Sequence, residues 1–356
     1  MLVLLPTSSS KLLAQWQGPY QIEKKVGKVN YVVDMADRRK RRRTFHVNML
    51  KQWHTPTHTN YLAEEVDGEE DVPVWNEDAG VEAQPTVGEQ LSDDQQEQLW
   101  RLLQEFTDVM RNEPGRTTLA EHRIETENAR PIRQMPYRLP YAYRDEVLKD
   151  LKEMQESGII EPSTSEWSSQ IVLVKKDGTL RMCVDYRRLN SVSQADAYPM
   201  PRIDDLIDRL GKAKYIKTID LTRGYWQVPV AEASRSKTAF TTPLGLFQFR
   251  MMPFGLHGAP ATFQRMMDRL IDGLGDFSGA YLDDLVIYST SWQEHLGHLQ
   301  TIMERLRGAG LTAKPLKCQF GMSHCVYLGH VVGNGIVCPE PSKIEAVQSF
   351  PIPQTK

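Results

Sequence analysis

Between residues 56 and 100 the chain carries 13 Asp and Glu side chains and not one Lys or Arg. A stretch like that repels itself and resists burial, so the parts on either side of it must build separate cores. Within residues 56–91 the acids alternate with Pro73, Pro85 and three glycines, which interrupt every apolar pattern and predict a flexible, solvated linker. Ahead of it, residues 1–55 hold 11 basic and 3 acidic groups, a head of charge +8. Behind it, residues 101–356 hold 32 and 30 and are nearly neutral. The overall charge of −3 conceals this three-way partition, and 356 residues with 40 % apolar side chains suffice for two or three domains.

No apolar run approaches the ~18 residues that a membrane-spanning helix needs. The opening Met-Leu-Val-Leu-Leu stops at Pro6 and lacks a basic flank, too short for a secretory signal, so the expected compartment is intracellular with no membrane partner. Cys183, Cys318, Cys325 and Cys338 include no Cys-x-x-Cys pair and read as free thiols. Cys318, His324 and Cys325 lack a fourth ligand at finger-like spacing and read as packing residues rather than a zinc site.

The head reads as short strands at residues 20–26, 31–35 and 44–50, for which a small β-barrel is the natural packing. Order resumes at Ser92, where Ser-Asp-Asp-Gln has capping-box form and Leu99, Leu102, Leu103, Phe106 and Met110 follow at helical spacing. From residue 130 come a Pro-rich arm (Pro131, Pro136, Pro140) and a helix near 143–156 ended by Gly158. Strand-like runs at 170–174 and 180–186 are joined by a turn bearing Lys175 and Lys176. A short helix stopped by Gly211, a strand at 215–221, a helix starting near Pro260 and apolar runs at 279–282 and 285–288 continue the pattern. A further helix carries Leu296, Leu299, Met303 and Leu306, and strands are predicted at 326–332 and 336–338. Mixed elements with hairpins argue for an α+β fold, not a doubly wound sheet.

The chemistry concentrates in Tyr281-Leu282-Asp283-Asp284. Alone, an Asp-Asp pair between apolar strands is ordinarily a polar turn. Here both flanks are apolar, so the turn sets two carboxylates side by side at a sheet tip, and a second apolar strand ends in Asp220. Three Asp converging from adjacent strands need a cation, and oxygen donors without His or Cys suit Mg²⁺ or Mn²⁺. Two such ions roughly 3.5–4 Å apart meet the requirement of nucleotidyl transfer.

Five blocks in order carry a resemblance: Val184-Asp185-Tyr186-Arg187-Arg188-Leu189-Asn190, Asp220-Leu221-Thr222-Arg223-Gly224-Tyr225-Trp226-Gln227, Met252-Pro253-Phe254-Gly255-Leu256, Gly258-Ala259-Pro260-Ala261-Thr262-Phe263 and Tyr281-Leu282-Asp283-Asp284. Over about residues 120–350 they closely resemble gypsy-type LTR-retrotransposon reverse transcriptases. The resemblance implies a right-hand polymerase with fingers and palm at 131–340, a helical segment and arm at 92–130, and a truncated thumb beginning at 341–356. It implies an RNA-directed DNA polymerase using two ions, with Asp220, Asp283 and Asp284 as the acidic triad. Asp220 and Asp283 would bridge the ions and the Leu221 carbonyl would complete one shell.

By the same resemblance, Lys175 or Lys176 and Arg181 grip the incoming deoxynucleoside triphosphate. Tyr225 lies under its sugar, and Phe254 and Gly255 close over it and the template base. Tyr327-Leu328-Gly329-His330 resembles the primer grip, with Leu328, Gly329 and His330 against the primer end of an RNA or DNA template-primer. In the head, Trp16-Gln17-Gly18-Pro19-Tyr20, Tyr31-Val32-Val33 and His46-Val47-Asn48-Met49-Leu50 resemble the C-terminal, SH3-like module of gypsy-type integrases over residues 1–55. The run Arg38, Arg39, Lys40, Arg41, Arg42, Arg43 would meet phosphates. The implied partners are the remaining Pol domains (integrase core, thumb, ribonuclease H), and the implied locations are a cytoplasmic particle and the nucleus. A competing reading from the same residues is a non-catalytic nucleic-acid-binding remnant of a retroelement.

Overall fold

The computed structural model describes residues 85–176 and 179–341, and before them residues 2–6, 14–17, 20–26, 30–35, 42–46, 50–51 and 62–63. The chain divides into two compact units, Met1–Asn60 and Tyr61–Lys356. In the first, Ala14–Gln17, Leu2–Pro6 and Leu50–Lys51 form one three-stranded antiparallel sheet, and Gln21–Val26, Asn30–Asp34 and Arg42–His46 form another. No described strand of one sheet pairs with a strand of the other, so the expected small barrel is present as two ladders without a joining seam. Val33, Met35 and Phe45 bury together with Tyr20 packed on them. Leu2–Pro6 and Ala14–Gln17 are strands that the sequence reading passed over.

The second unit is built on two larger sheets. One runs in the order Ser278–Tyr281, Asp284–Ser289, Tyr215–Asp220, Gln319–Met322, Thr86–Val87. The first four strands are mutually antiparallel, and Thr86–Val87 joins the edge in parallel. The acidic stretch expected to be linker as far as residue 91 is therefore part of this sheet from Thr86, because Val87 and Leu91 find burial against it and Gly88 N–H donates to the Phe320 carbonyl at 2.9 Å. Most of residues 56–84 lie outside the described residues. The other sheet orders Thr179–Asp185, Ser169–Lys176, Phe240–Thr242, Gly245–Phe249 and Ile160–Pro162, with Leu62–Ala63 parallel to Ser169–Lys176. A small third sheet holds Cys325–Tyr327, His330–Gly333 and Ile336–Pro339. The strand expected over 326–332 is thus two strands, because Leu328 and Gly329 take positive φ (47° and 74°) and reverse the chain.

Helices cover these sheets and start where their sequences supply caps. Ser92 and Gln95 close a capping box on Asp93–Glu105, and Ser291 and Glu294 do the same for Trp292–Gly308. Ala259–Leu270 begins with Pro260 in its first turn and buries Phe263, Met266, Met267 and Leu270. Arg144–Glu156 ends before Gly158, whose φ of 69° only glycine adopts at little strain.

The strand Tyr215–Asp220 buries Lys217 along with Ile216 and Ile219. Its ammonium lies 2.7 Å from the centre of the Phe320 ring, has no hydrogen-bond partner, and is pushed down by burial to about 7. The unfolded chain binds this proton up to a higher pH than the folded one, so stability should rise between about pH 7 and 10.5. Lys217→Met is expected to raise stability at pH 7 and flatten that rise, as measured by urea unfolding at a series of pH values.

Candidate active site

The pairing of strands decides where the acidic residues meet. Tyr281 pairs with Asp284 across a two-residue turn, Leu282-Asp283, and on the other side of the same strand Asp220 is the register partner of Asp284. The three carboxylates expected to converge are therefore neighbours at one sheet tip. Leu282 holds this turn at φ 53°, a left-handed conformation that strains a branched side chain.

Gln264, fully buried on the helix Ala259–Leu270, holds the turn from beneath. Its Oε1 accepts the Leu282 N–H at 2.8 Å, while its Nε2 donates to the Ala280 carbonyl at 3.1 Å and to Asp268 Oδ1 at 2.9 Å. The Tyr198 hydroxyl donates to the other Asp268 oxygen at 2.7 Å. Sequence reading missed Gln264; its only signal is a polar residue beside Phe263 on an otherwise apolar helix face. A side chain at Gly224 would collide with the Phe263 ring and abut Asp283, which is why this turn of the chain is glycine.

Asp220 is half-buried, and its backbone carbonyl accepts the Lys314 N–H at 2.9 Å. Leu221, the expected backbone ligand, is buried and bridges antiparallel to Ala313. Burial raises the Asp220 carboxyl; Lys317, whose Nζ is 3.5 Å from Oδ2, opposes this, and the Asp283 charge adds to it. Asp284 is solvent-exposed as a residue, yet its carboxyl is hemmed in by the turn. Desolvation, then the charges of Asp283 and Asp220, push it up to about 6.

Of the residues expected around a nucleotide, Tyr225, Phe254 and Gly255 come together. Tyr225 and Phe254 stack with ring centres 4.7 Å apart, and Tyr225 leans on Phe263 at 5.2 Å. Gly255 takes φ 84° and lies against the Val184 carbonyl and the Tyr186 ring, so its loop touches the end of the Thr179–Asp185 strand. Asn190 fastens that loop, donating to the Gly255 carbonyl at 2.8 Å and accepting from the His257 N–H at 3.1 Å. Arg181 is buried, opposite Val174 in the hairpin. Lys175 and Lys176 end the partner strand, and their side chains lie outside the described residues.

Leu328 and Gly329 form the turn of the small sheet, His330 opens the strand after it, and the adjoining Tyr327 hydroxyl donates to the Asp284 carbonyl at 3.2 Å. The expected primer hairpin and the acidic turn are thereby joined. In the first unit, Arg42 pairs with Glu23 and Arg43 lies over the Phe45 ring, whereas Arg38, Arg39, Lys40 and Arg41 lie outside the described residues.

Comparison with known proteins bears on the family and the fold. Residues 173–332 match the family model described as reverse transcriptase (RNA-dependent DNA polymerase), and residues 2–54 match one described as a Tf2-1-like SH3 domain. The Retrovirus-related Pol polyprotein from transposon 297 of Drosophila melanogaster is 38 % identical over 244 residues, covering 67 % of this chain and 23 % of that protein. That from transposon gypsy of the same fly is 34 % identical over 238 residues, covering 65 % and 23 %. A solved foamy viral protease-reverse transcriptase in complex with an RNA/DNA hybrid superposes with TM-score 0.67 at 22 % identity, covering 74 % of this chain and 36 % of that one. The fold is thus that of reverse-transcriptase fingers and palm. More narrowly, residues 173–332 belong to the reverse transcriptase family, and the chain spans about a quarter of the length of the curated retrotransposon Pol polyproteins it matches.

Two measurements check the architecture of the site. The folded chain keeps a proton on Asp284 where the unfolded chain has lost it, so this contribution to stability is present at acid pH and lost as pH rises from about 4 through about 6, and Asp220 is shifted in the same direction. In chelator, Asp284→Asn is expected to stabilise the chain at pH 7.5 by on the order of 1 kcal/mol after solvent screening, roughly 2–4 °C in melting temperature, and to have little effect at pH 4. Gln264→Leu strands the Leu282 N–H and should lower unfolding stability by roughly 1–3 kcal/mol, while the same change at exposed Gln300 should be nearly neutral in the same urea titration.

Proposed function

We propose that this chain performs RNA-directed DNA synthesis within a gypsy-type Pol polyprotein: a primer 3′-hydroxyl attacks the α-phosphate of a deoxynucleoside triphosphate in line, and pyrophosphate leaves. The observation that carries this reading is the register match of Asp220 with Asp284 beside the strained Leu282-Asp283 turn. Asp oxygens without His or Cys fit Mg²⁺ or Mn²⁺; burial first, and then the charges of Asp283 and Asp220, push Asp284 up, and a divalent cation relieves that second part. Among the described residues no three His, Cys, Asp or Glu side chains stand in coordinating geometry. Asp220 and Asp283 would hold two ions with the Leu221 carbonyl. Bound there, such ions activate the attacking hydroxyl and neutralise charge on the transferring phosphate.

The other residues position. Lys175 or Lys176 and Arg181 would neutralise the triphosphate, and the Tyr225 ring, fixed by Phe254, would leave no room for a 2′-hydroxyl. Leu328, Gly329 and His330 would seat the primer end next to the acidic turn. The solved relatives in complex with an RNA/DNA hybrid and with double-stranded DNA support a template-primer as the substrate. The basic first unit would act as an integrase C-terminal module, meeting phosphates through residues 38–43, in company with the polyprotein's integrase core, thumb and ribonuclease H. The expected locations are a cytoplasmic particle and the nucleus.

Primer extension on an RNA template, by a polyprotein containing this segment, should fall about 100-fold or more on Asp283→Asn. Undiminished extension would overturn the assignment, and salt-dependent binding with no metal-dependent incorporation would show a binding remnant instead.

A further inference from the structure

Residues 194–202 form a largely exposed coil without helix or strand, yet one of its side chains reaches the support beneath the acidic turn. The Tyr198 hydroxyl donates to Asp268 Oδ2 at 2.7 Å. Asp268 Oδ1 accepts from Gln264 Nε2 at 2.9 Å, and Gln264 Oε1 accepts the Leu282 N–H at 2.8 Å. Three hydrogen bonds in series thus join the coil to the residue that takes φ 53° at the head of the turn.

The order of donors and acceptors along this series is forced. A side-chain amide presents either its nitrogen or its oxygen, and only the oxygen can accept a backbone N–H. A carboxylate only accepts, so Asp268 and the Ala280 carbonyl claim the Gln264 nitrogen and leave the oxygen for Leu282. Asp268 is itself half-buried, and the soft terminal torsion of an aspartate lets it turn toward water unless its second oxygen is held. Tyr198 holds that oxygen. The Asp268 bond, and burial after it, raise the phenol above the ordinary tyrosine range, so the donor keeps its proton at neutral pH.

The coil is in turn clamped to the helix that carries Gln264. Arg265 Nη2 lies 2.8 Å from both oxygens of Asp196, and its guanidinium sits 4.6 Å from the centre of the Tyr198 ring. Asp196 Oδ1 also accepts the Tyr198 N–H at 3.0 Å. Farther back, His257 Nε2 donates to the Gln194 carbonyl at 3.1 Å, so the coil is tied to the glycine loop as well. A coil that served only as a connection would need none of these contacts, each of which costs side-chain entropy. Together they aim Tyr198 at Asp268.

We infer that Tyr198 is a positioning residue for the acidic turn, acting through Asp268 and Gln264 on the Leu282 N–H, with Asp196 and Arg265 keeping its ring in place. It touches no substrate. The inference rests on the polymerase reading above and deepens it by extending the support of the carboxylates to a coil far upstream in the chain. Without the hydroxyl, Asp268 can turn away, the Gln264 amide can rotate, and the Leu282-Asp283 turn can relax. Divalent ions would then be held less tightly, while the stacked Tyr225 and Phe254 rings stay as they are.

Tyr198→Phe removes one oxygen and keeps the ring against Arg265. Tyr288→Phe is the control, because its hydroxyl donates to the Gly275 carbonyl at 3.0 Å, elsewhere in the second unit. In a polyprotein containing this segment, Tyr198→Phe should raise the Mg²⁺ concentration for half-maximal primer extension on the order of tenfold, with the KM for deoxynucleotide unchanged, and Tyr288→Phe should change neither. Asp268→Ala should act alike, and the double variant with Tyr198→Phe should be no worse than Asp268→Ala alone. In chelator and without substrate, amide hydrogen exchange across residues 281–284, followed by mass spectrometry, should be roughly tenfold faster in Tyr198→Phe, while the helix Trp292–Gly308 keeps the wild-type rate. Unchanged exchange at the turn or unchanged metal dependence would overturn the inference, as would faster exchange in both segments, the mark of general loosening. A wild-type polyprotein that never incorporates nucleotide sinks the polymerase reading instead, and the exchange rates then decide the role of Tyr198 by themselves.

Discussion

Three like charges at one sheet tip would drift apart unless the backbone forbade it, and much of the second unit serves that prohibition. Asp220 and Asp284 sit opposite one another because the strands carrying them are paired over their full length, so neither carboxylate can withdraw without breaking the ladder. Beside them the Leu282-Asp283 turn is kept in an unfavourable conformation by the Gln264 amide, whose own orientation is dictated by Asp268 and the Ala280 carbonyl. Burial, and after it the neighbouring like charges, shift Asp220 and Asp284 upward, with Lys317 as a partial counterweight.

The same logic extends to the segment after Asp220. Gln227 is buried completely, donates to the carbonyls of Thr222 and Thr312 at 2.8 Å each, and accepts from the Thr312 N–H at 2.8 Å. It fixes the chain from Thr222 to Gln227, and with it Gly224 against Asp283 and Tyr225 under Phe254. Asn190 does comparable work for the glycine loop. Both are buried or bridging amides satisfied on two sides, the arrangement that gives a polar group in a core a single orientation.

What could be read from the sequence was whatever is locally encoded. The apolar flanks of Asp283-Asp284, the Ser92 cap, the stops at Gly158 and Gly211 and the apolar stripe after Pro260 all state their structure within a few residues. The carboxylate convergence was legible because three Asp each end or join an apolar run. Features set by distant partners were not. Thr86–Val87 is two residues in an acidic tract and becomes a strand only because Gln319–Met322 offers an edge. Phe240–Thr242 and Gly245–Phe249 pair around a Pro-Leu-Gly segment that breaks periodicity. Lys217 packs on Phe320 and Gln264 lies beneath the acidic turn, placements that depend on partners far along the chain and went unread.

The hydroxyl of Tyr327 on the Asp284 carbonyl ties two things usually considered apart. One is the hairpin expected to cradle the growing end, the other the carboxylates expected to drive bond formation. With a shared tether, tilting the hairpin tugs the acidic tip along with it, so a badly seated growing end and a distorted charge cluster come as one fault rather than two. Fidelity of placement and readiness for chemistry would then be read off a single mechanical coordinate.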